Sequence, residues 1–275
     1  MKVAVLSGKG GTGKTTVSAC LILSLDRCQY IDCDVEEPNG AIFLNPDIGE
    51  SSPVPVLIPQ VDESRCNGCG CCGKACQFNA IAVVKGKVLA FPQICHHCGA
   101  CLIACPEEAI NEVEREIGVV ETNDNSTFVQ GRLNIGEPVG LPIIRELKRR
   151  MKTDMPVIID CPPGASCAVV QSIEGCDYCL LVTEPTPFGI HDLGIAVQLV
   201  RQMGIPFGVV VNKASEINRS VHEFCLQEGI DVLMEIPFSR EIAKGYSNGS
   251  LPVGIDPNWK DKFCKLYEKM QRGVK

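Results

Sequence analysis

A glycine-rich loop near the start of the chain constrains its fold more than any other feature. Residues 8–15 read GKGGTGKT, which fits the spacing G-x-x-x-x-G-K-[ST] without a gap. The apolar residues 3–6 precede the loop and a helical pattern over about 14–25 follows it, so the loop joins a buried strand to a helix. Backbone N–H groups of such a loop and the positive end of the helix face phosphate oxygens. The pattern predicts a phosphate-binding loop rather than a turn that merely joins two elements.

The side chains of this loop have distinct expected roles toward ATP or ADP with Mg²⁺. Lys14 is expected to reach the outer phosphates, and the Thr15 hydroxyl to bind Mg²⁺. The remaining contacts to the nucleotide are expected from Gly8, Gly10, Gly11, Thr12, Gly13 and Thr16.

Short apolar runs alternate with helical patterns along most of the chain, which is typical of a parallel sheet covered by helices. Further strands are predicted at 30–31, 156–159, 179–182, 207–211 and 232–236, and helices near 139–151, 189–203, 219–228 and 259–272. Residues 113–135 are expected to be extended connecting structure. The predicted fold class is α/β, with a mostly parallel, doubly wound sheet behind the phosphate-binding loop.

Two cysteine runs share the spacing C-x₂-C-x₂-C-x₃-C, which is that of bacterial ferredoxins. In such proteins three cysteines of one run and the fourth cysteine of the other hold each cluster. By that rule one [4Fe–4S] cluster is held by Cys66, Cys69, Cys72 and Cys105, and a second by Cys95, Cys98, Cys101 and Cys76.

Zinc is the competing assignment, because C-x₂-C pairs also bind zinc. Two complete runs of the same spacing are more specific than two such pairs, and they favour clusters. Cys71 competes with Cys72 for an iron, and the spacing favours Cys72. His96 and His97 stand beside the expected ligands, where they are expected to shape the hydrogen bonding of a cluster rather than bind iron.

The cysteine runs lie in a segment that breaks the alternation of strands and helices. We predict a nucleotide-binding domain over 1–58 and 113–275, and a small inserted α+β domain, ferredoxin-like, over 59–112. Residues 65–76 and 94–105 resemble each other, so the insert is interpreted as an internal duplication.

Lys9, directly after the first glycine, makes the loop resemble that of the MinD, Mrp/Nbp35 and nitrogenase-iron-protein ATPases, the deviant Walker group. In that family this lysine crosses a dimer interface to touch the partner's nucleotide, so the resemblance implies an ATP-dependent homodimer. Residues 32–34 (Asp-Cys-Asp) resemble the first switch of the family, where the second aspartate, Asp34, orients the attacking water. Residues 160–164 resemble the second switch, which would place Asp160 near Mg²⁺.

Two later segments extend this resemblance to the base of the nucleotide. Residues 211–213 (Val-Asn-Lys) resemble the strand end whose asparagine, here Asn212, reads the adenine. The segment around Pro237 also resembles the family, which implies a further nucleotide contact. Each feature has an ordinary alternative, since Asp34 could cap a turn and Asn212 could lie in a loop.

The resemblance implies an ATPase in which a nucleotide-driven dimer switch acts on the clusters. Two roles remain open: electron delivery to a redox partner, as in the nitrogenase iron protein, or assembly of an iron–sulfur or mixed-metal centre on an apo-metalloprotein, as in Mrp relatives. A positioning ATPase of the MinD/ParA type is the third alternative, and in it the clusters would be sensory or structural.

Charge and hydropathy exclude several kinds of partner. The net charge is −7 and the chain offers no basic tract typical of nucleic-acid binding, so no nucleic-acid partner is expected. The first residues lack the apolar run of a signal peptide, and no stretch of about 18 apolar residues occurs, which predicts a cytoplasmic protein. In that compartment disulfides do not explain 18 cysteines. An apolar stripe near the C-terminus is expected to pack on the sheet rather than anchor the chain to a membrane: Trp259, Phe263, Leu266, Tyr267 and Met270.

The cysteines outside the two runs are expected to be mostly small buried hydrophobes. Two pairs remain open as ligands of a cluster shared between subunits. Cys176 and Cys179 resemble the C-x-x-C of Nbp35 and Mrp relatives, and Cys161 and Cys167 flank the second switch as the ligands of the nitrogenase iron protein do.

Overall fold

The computed structural model describes residues 1–215 and 217–274. The strands in chain order are β1 (Lys2–Leu6), β2 (Gln29–Asp32), β3 (Ile48–Val61), β4 (Ile81–Val84), β5 (Lys87–Ala90), β6 (Ile110–Asn123), β7 (Phe128–Leu133), β8 (Val157–Asp160), β9 (Tyr178–Thr183), β10 (Phe207–Ala214) and β11 (Val232–Pro237). The helices are α1 (Lys14–Ser24), α2 (Gly40–Leu44), α3 (Cys71–Ala75), α4 (Ala100–Ile103), α5 (Leu141–Arg149), α6 (Cys167–Ile173), α7 (Pro187–Gln202), α8 (Ser220–Gln227), α9 (Arg240–Ser247), α10 (Pro252–Ile255) and α11 (Asn258–Gly273), with a 3₁₀ turn at Pro92–Ile94.

The main sheet has nine strands in the order β11-β10-β9-β1-β8-β2-β7-β6-β3. The strands from β11 to β7 all run parallel, and β6 and β3 continue the sheet antiparallel to their neighbours. This confirms the predicted α/β class with a large, mostly parallel sheet.

Burial of the central strand β1 on both faces explains why its residues are almost all apolar. Ala4 and Leu6 belong to one core, which α5 to α8 cover, whereas Val3 and Val5 belong to the opposite core, covered by α1 and α11. Successive side chains of a strand point to opposite faces, so a strand buried on both faces needs an unbroken apolar run. The same two-sided burial explains why these strands were predictable from the sequence.

Helix α11 closes the second of these cores. All five members of its apolar stripe are buried, and Phe263 is 0% exposed. The helix packs against α1 and the strands behind it. The stripe therefore belongs to the core, as the packing alternative predicts, and is not free to insert into a lipid surface. In the part of the chain that the structure describes, no helix is long and apolar enough to cross a bilayer.

The sequence analysis was wrong about two segments of the sheet. Residues 113–135 are extended, as expected, but they form β6 and β7 of the main sheet rather than a connection. Strand β3 was not predicted at all, because Pro53, Pro55 and Pro59 argue against a strand. The structure places β3 at the edge of the sheet, where missing N–H donors need no neighbouring strand.

A long antiparallel ribbon carries the cysteine-rich segment. Strands β3 and β6 pair from Ile48 opposite Asn123 to Val61 opposite Ile110, whereas β7 pairs with β6 only over 118–122. Residues 62–109 lie beyond the last ribbon pair and contain the β4–β5 hairpin, α3 and α4. Their small apolar core is formed by Cys72, Ile81 and Ile110, so the end of the ribbon packs into this segment.

The burial of α11 yields the first prediction. Phe263→Ala removes a wholly buried aromatic ring, and we expect the free energy of unfolding to fall by about 3–5 kcal/mol. Urea unfolding followed by circular dichroism measures this change. Lys265→Ala, on the exposed face of the same helix, is the matched control. Equal midpoints for the two variants would contradict the assignment of this helix to the core.

Candidate functional site

The carboxyl ends of the parallel strands meet at one edge of the sheet, and a cavity of about 780 Å³ lies there. In open α/β sheets this edge is the usual ligand-binding position. The predicted nucleotide-binding residues that line the cavity are Gly10, Gly11, Gly13, Lys14, Thr15, Thr16, Asp34, Asn212 and Pro237. Gly8, Lys9, Thr12 and Asp160 are outside this lining, and their contacts are described below.

The loop between β1 and α1 takes its shape from backbone conformations that favour glycine. Gly11 has φ 78° and Gly13, the N-cap of α1, has φ 95°. A β-carbon at Gly13 would lie 2.3 Å from Nδ2 of Asn212, and one at Gly8 would lie 2.2 Å from the carbonyl oxygen of Asp192. The loop therefore packs closely against Asn212 of β10 and against the backbone of Asp192 in α7.

Asn212 is bonded to the loop itself in this structure. Its Nδ2 donates a hydrogen bond of 2.8 Å to the carbonyl oxygen of Thr12. The side chain thereby fixes the end of β10 to the phosphate-binding loop. Its predicted contact with adenine stays a prediction.

Two buried carboxyl groups face each other across a tyrosine hydroxyl. Tyr30 Oη lies 3.0 Å from Oδ2 of Asp160 and 3.3 Å from Oδ2 of Asp32. Burial, together with the nearby carboxylates, raises the pKa of Asp32 and of Tyr30. Because the hydroxyl has one proton to donate, the second contact is a hydrogen bond only if Asp32 carries a proton. The sequence analysis missed the role of Tyr30, whose only signal was a hydroxyl in a buried strand two residues before an aspartate.

Asp160 is arranged to receive a cation. Its Oδ1 is buried and has no hydrogen-bond partner among the described residues, whereas its Oδ2 accepts from Tyr30. Burial raises the pKa of Asp160, and Lys14 together with the neighbouring hydroxyls of Thr15, Tyr30 and Ser18 opposes the shift. A hydroxyl and a free carboxylate oxygen are ligands that Mg²⁺ accepts. These residues therefore fit the predicted magnesium site.

Asp34 shares this negative environment. Its Oδ2 lies 4.0 Å from Nζ of the buried Lys14. Burial raises the pKa of Asp34 to about 6, an effect that Lys14 opposes and Asp160 increases. This edge of the sheet thus gathers Asp34 and Asp160 close to the buried ammonium group of Lys14, with Asp32 beside Asp160.

Lys9 is held by its own chain in this structure. Its Nζ lies 2.8 Å from Oε1 of Glu184, and Lys213 Nζ lies 3.1 Å from Oε2 of the same carboxylate. Lys213 also donates to the carbonyl oxygen of Gly11 at 3.3 Å. Hydrogen bonds from the two lysines lower the pKa of Glu184. The predicted contact of Lys9 with a partner's nucleotide requires this ion pair to open.

The structure gathers the eight cysteines of the two runs around two separate cavities. Cys66, Cys69, Cys72 and Cys105 line the first cavity, and Cys76, Cys95, Cys98 and Cys101 line the second. This is the interleaved grouping that the ferredoxin spacing assigns. Cys71 is not part of either lining.

Backbone donors surround these sulfurs. The N–H groups of Ala80, His97 and Ala109 donate to Sγ of Cys76, Cys95 and Cys105 at 3.3, 3.4 and 3.3 Å. Within residues 1–215 and 217–274, no three His, Cys, Asp or Glu side chains converge tightly enough to hold a single metal ion. Four thiols around each cavity, with backbone N–H groups directed at three of the sulfurs, are a donor set that fits the predicted clusters.

The cysteine pairs left open by the sequence are placed differently. Cys161, Cys176 and Cys179 are buried in the core beneath the sheet, while Cys167 is exposed. Burial raises the pKa of Cys176 to about 12 and that of Cys161 well above its usual range. Neither pair is presented at the surface with both of its thiols, and the interpretation as buried hydrophobes is favoured for Cys161, Cys176 and Cys179.

The raised pKa of Asp34 yields a prediction for the nucleotide-free protein. Between pH 3.8 and about 6 the folded state binds more protons than the unfolded chain, so stability falls as pH rises through this window. Asp34→Asn removes the buried charge and is expected to stabilise the protein by about 1–2 kcal/mol at about pH 8, and to lose this advantage at about pH 4.

Unfolding in urea across this pH range measures the effect. Asp26→Asn changes a fully exposed carboxylate and is the matched control. A variant of Asp34 that is less stable than the native chain at the higher pH would show that its pairing with Lys14 outweighs its burial.

Comparisons with known proteins agree with this site. Residues 3–253 match the model of the CobQ/CobB/MinD/ParA nucleotide binding domain. An uncharacterized protein of Methanocaldococcus jannaschii is 30% identical over 257 residues, which are 90% of each chain. The iron-sulfur cluster carrier protein of Pyrococcus horikoshii is 26% identical over 299 aligned positions, which cover 100% of this chain and 86% of the relative.

Among solved structures, the fold is similar to the septum site-determining protein MinD of Pyrococcus horikoshii complexed with Mg-ADP. The TM-score is 0.58 at 20% identity, with 98% of this chain and 94% of the other covered. The matched family model spans the loop, the two aspartate segments and the strands between them. The chain therefore belongs to the CobQ/CobB/MinD/ParA family of P-loop nucleotide-binding proteins.

Proposed function

We propose that the protein binds and hydrolyses ATP and couples this cycle to two [4Fe–4S] clusters that serve a partner protein. One observation carries the proposal: a single chain has a cavity lined by its phosphate-binding loop at one sheet edge, and two cavities that are each lined by four cysteines at the end of a ribbon from the same sheet. The ferredoxin-like character of residues 59–112 is part of this proposal.

The nucleotide half of the cycle follows from the charges at the sheet edge. Lys14 and Mg²⁺ bound by Thr15 and Asp160 would neutralise the phosphates, and Asp34 would orient the attacking water. ATP binding would draw Lys9 away from Glu184 and toward a second subunit, which makes the homodimer dependent on nucleotide.

The cluster half follows from the thiols. When bound, a [4Fe–4S] cluster supplies one-electron transfer, and each cluster would be held by four of the eight cysteines as thiolates. Their complete sets favour clusters that stay in the protein and deliver electrons to a partner. The similarity to proteins named iron-sulfur cluster carriers favours the second candidate, assembly of a centre on an apo-protein.

A chain of contacts joins the first switch to the second cavity. Val35, next to Asp34, accepts a hydrogen bond of 2.8 Å from the backbone N–H of Leu133 at the end of β7. Four residues later, Glu137 is ion-paired with Arg115 on β6, and Arg115 donates to the carbonyl oxygen of Pro92 at 2.9 Å. Movement of the switch would reach the cavity by this path.

Two observations argue against a positioning ATPase. The terminal helix is buried in the core rather than available to lipid. The densest basic stretch, residues 148–152, is engaged with its own chain, since Lys148 donates to the carbonyl oxygen of Gln171 and Arg150 pairs with Glu146.

Iron content tests the cluster assignment. We expect anaerobically purified protein to contain about eight irons per chain, Cys72→Ala about four, and Cys71→Ala about eight. These two neighbouring thiols differ in that only Cys72 lines a cavity. Zinc in place of iron, or equal loss of iron in both variants, would overturn the assignment.

Incubation with an apo-acceptor then separates the two roles. Retained iron with a reduced acceptor indicates electron delivery, and lost iron with a matured acceptor indicates assembly.

The contact chain yields a test of coupling. Glu137→Gln weakens its ion pair with Arg115 while leaving the cysteines and the phosphate-binding loop unchanged. We expect the EPR signal of the reduced clusters to change on ATP binding in the native chain, and this change to be lost in the variant. Glu146 lies on α5 and pairs with Arg150, and Glu146→Gln is the control. An ATP-dependent change of the same size in both variants would contradict the path.

A further inference from the structure

The two halves of the cysteine repeat differ between their first two cysteines, among other positions. The first run begins Cys66-Asn67-Gly68-Cys69 and the second begins Cys95-His96-His97-Cys98, so His97 takes the place of Gly68. Both residues have left-handed backbone, with φ 72° at Gly68 and φ 55° at His97. Glycine adopts this conformation without strain, whereas a residue with a β-carbon pays for it.

The available space explains why residue 68 is a glycine, but it does not explain why residue 97 is a histidine. A β-carbon at Gly68 would lie 2.3 Å from the carbonyl oxygen of Gly86, so the first half has no room for a side chain. The second half has room, yet room alone does not require a histidine in a strained conformation.

The ring of His97 is placed where it could serve only the cavity. His97 lines the second cavity with Cys95 and Cys98, and both of its ring nitrogens are shielded from solvent. Neither nitrogen has a hydrogen-bond partner in the described part of the protein. His96 differs, because it is exposed and its ring stacks on Phe78 with the centroids 3.8 Å apart. Strain together with an unpaired buried donor is expected where a bound group completes the contact.

We propose that His97 donates a ring N–H to sulfur of the cluster held by Cys76, Cys95, Cys98 and Cys101, and thereby makes this cluster easier to reduce than the other. The inference rests on the proposed function, because it requires that the cavities hold clusters. Hydrogen bonds to the sulfurs raise the reduction potential, since they stabilise the more negative reduced state. The guanidinium of Arg115, fixed nearby by Pro92 and Glu137, acts in the same direction.

The position of this cavity indicates towards which part of the protein an electron would move between the two clusters. It borders Leu57, Pro59 and Glu112 of the ribbon, whereas the first cavity borders Val61 and Ile110. Pro59 pairs with Glu112, and the pair of Val61 with Ile110 lies farther from the main sheet. An electron that enters either cluster would therefore settle at the one nearer the nucleotide-binding domain.

The test compares four forms of the full chain: native, His97→Gly, His97→Asn and His96→Ala. His97→Gly copies the first half of the repeat, and His97→Asn keeps an N–H donor in a residue that tolerates left-handed backbone. Each form is prepared without oxygen, its iron is counted, and both clusters are titrated by EPR. We expect His97→Gly to shift one potential negatively by about tenfold in the oxidised-to-reduced ratio, which is about 59 mV for one electron.

The other potential should stay unchanged, His97→Asn should keep most of the native value, and His96→Ala should match the native chain. Full iron in His97→Gly with native potentials, or an equal shift in His96→Ala, would overturn the role of His97. Native protein labelled with ¹⁵N only in the imidazole ring of histidine gives a second readout that the backbone N–H of His97 does not contribute to. A weak nitrogen coupling to the reduced cluster is expected, and its absence would overturn the role even if a variant loses iron. Native protein without iron would instead overturn the proposed function, and this inference with it.

Discussion

The buried charge at the carboxyl edge of the sheet is the constraint on which the rest of the site depends. Asp32, Asp34 and Asp160 are drawn together because β2 and β8 are parallel neighbours and end side by side. Lys14 faces Asp34 and Asp160, and the hydroxyl of Tyr30 lies between Asp32 and Asp160. Carboxylates grouped in this way are costly unless cations balance their charge, and a divalent cation bound among them would reduce this cost. The carboxylates at this edge therefore favour the binding of a cation.

The ribbon of β3 and β6 relates this site to the cysteine cavities. Its inner half is part of the main sheet and its outer half packs into the segment that carries the thiols. The ion pair of Arg115 with Glu137 fixes the ribbon to the loop before α5, close to the residue that follows Asp34. The phosphate-binding edge and the cysteine cavities are thus joined by an antiparallel pair of strands and one partly buried ion pair.

Much of the fold could be predicted because its signals are local. Strands buried on both faces gave unbroken apolar runs, and the longer helices gave clear periodicity. The edge strand β3 could not be predicted, since its prolines are compatible with a strand only where no further neighbour needs their N–H groups. Strands β6 and β7 were predicted to be connecting structure because their identity as strands of the main sheet depends on pairing partners that the sequence does not reveal.

By itself the sequence determined the phosphate-binding loop, the two aspartate segments and the interleaved cysteine sets, because each depends on fixed spacing within a few residues. Only the tertiary structure decided that Tyr30 bridges Asp32 and Asp160, that Glu184 holds Lys9, and that His97 faces a cavity without a partner. The contacts of Tyr30 with Asp160 and of Lys9 with Glu184 join residues more than a hundred positions apart, and the placement of His97 depends on how the second half of the repeat folds around its thiols. Spacing fixes which chemical groups are available, but long-range packing fixes which of them are paired and which are left free to act.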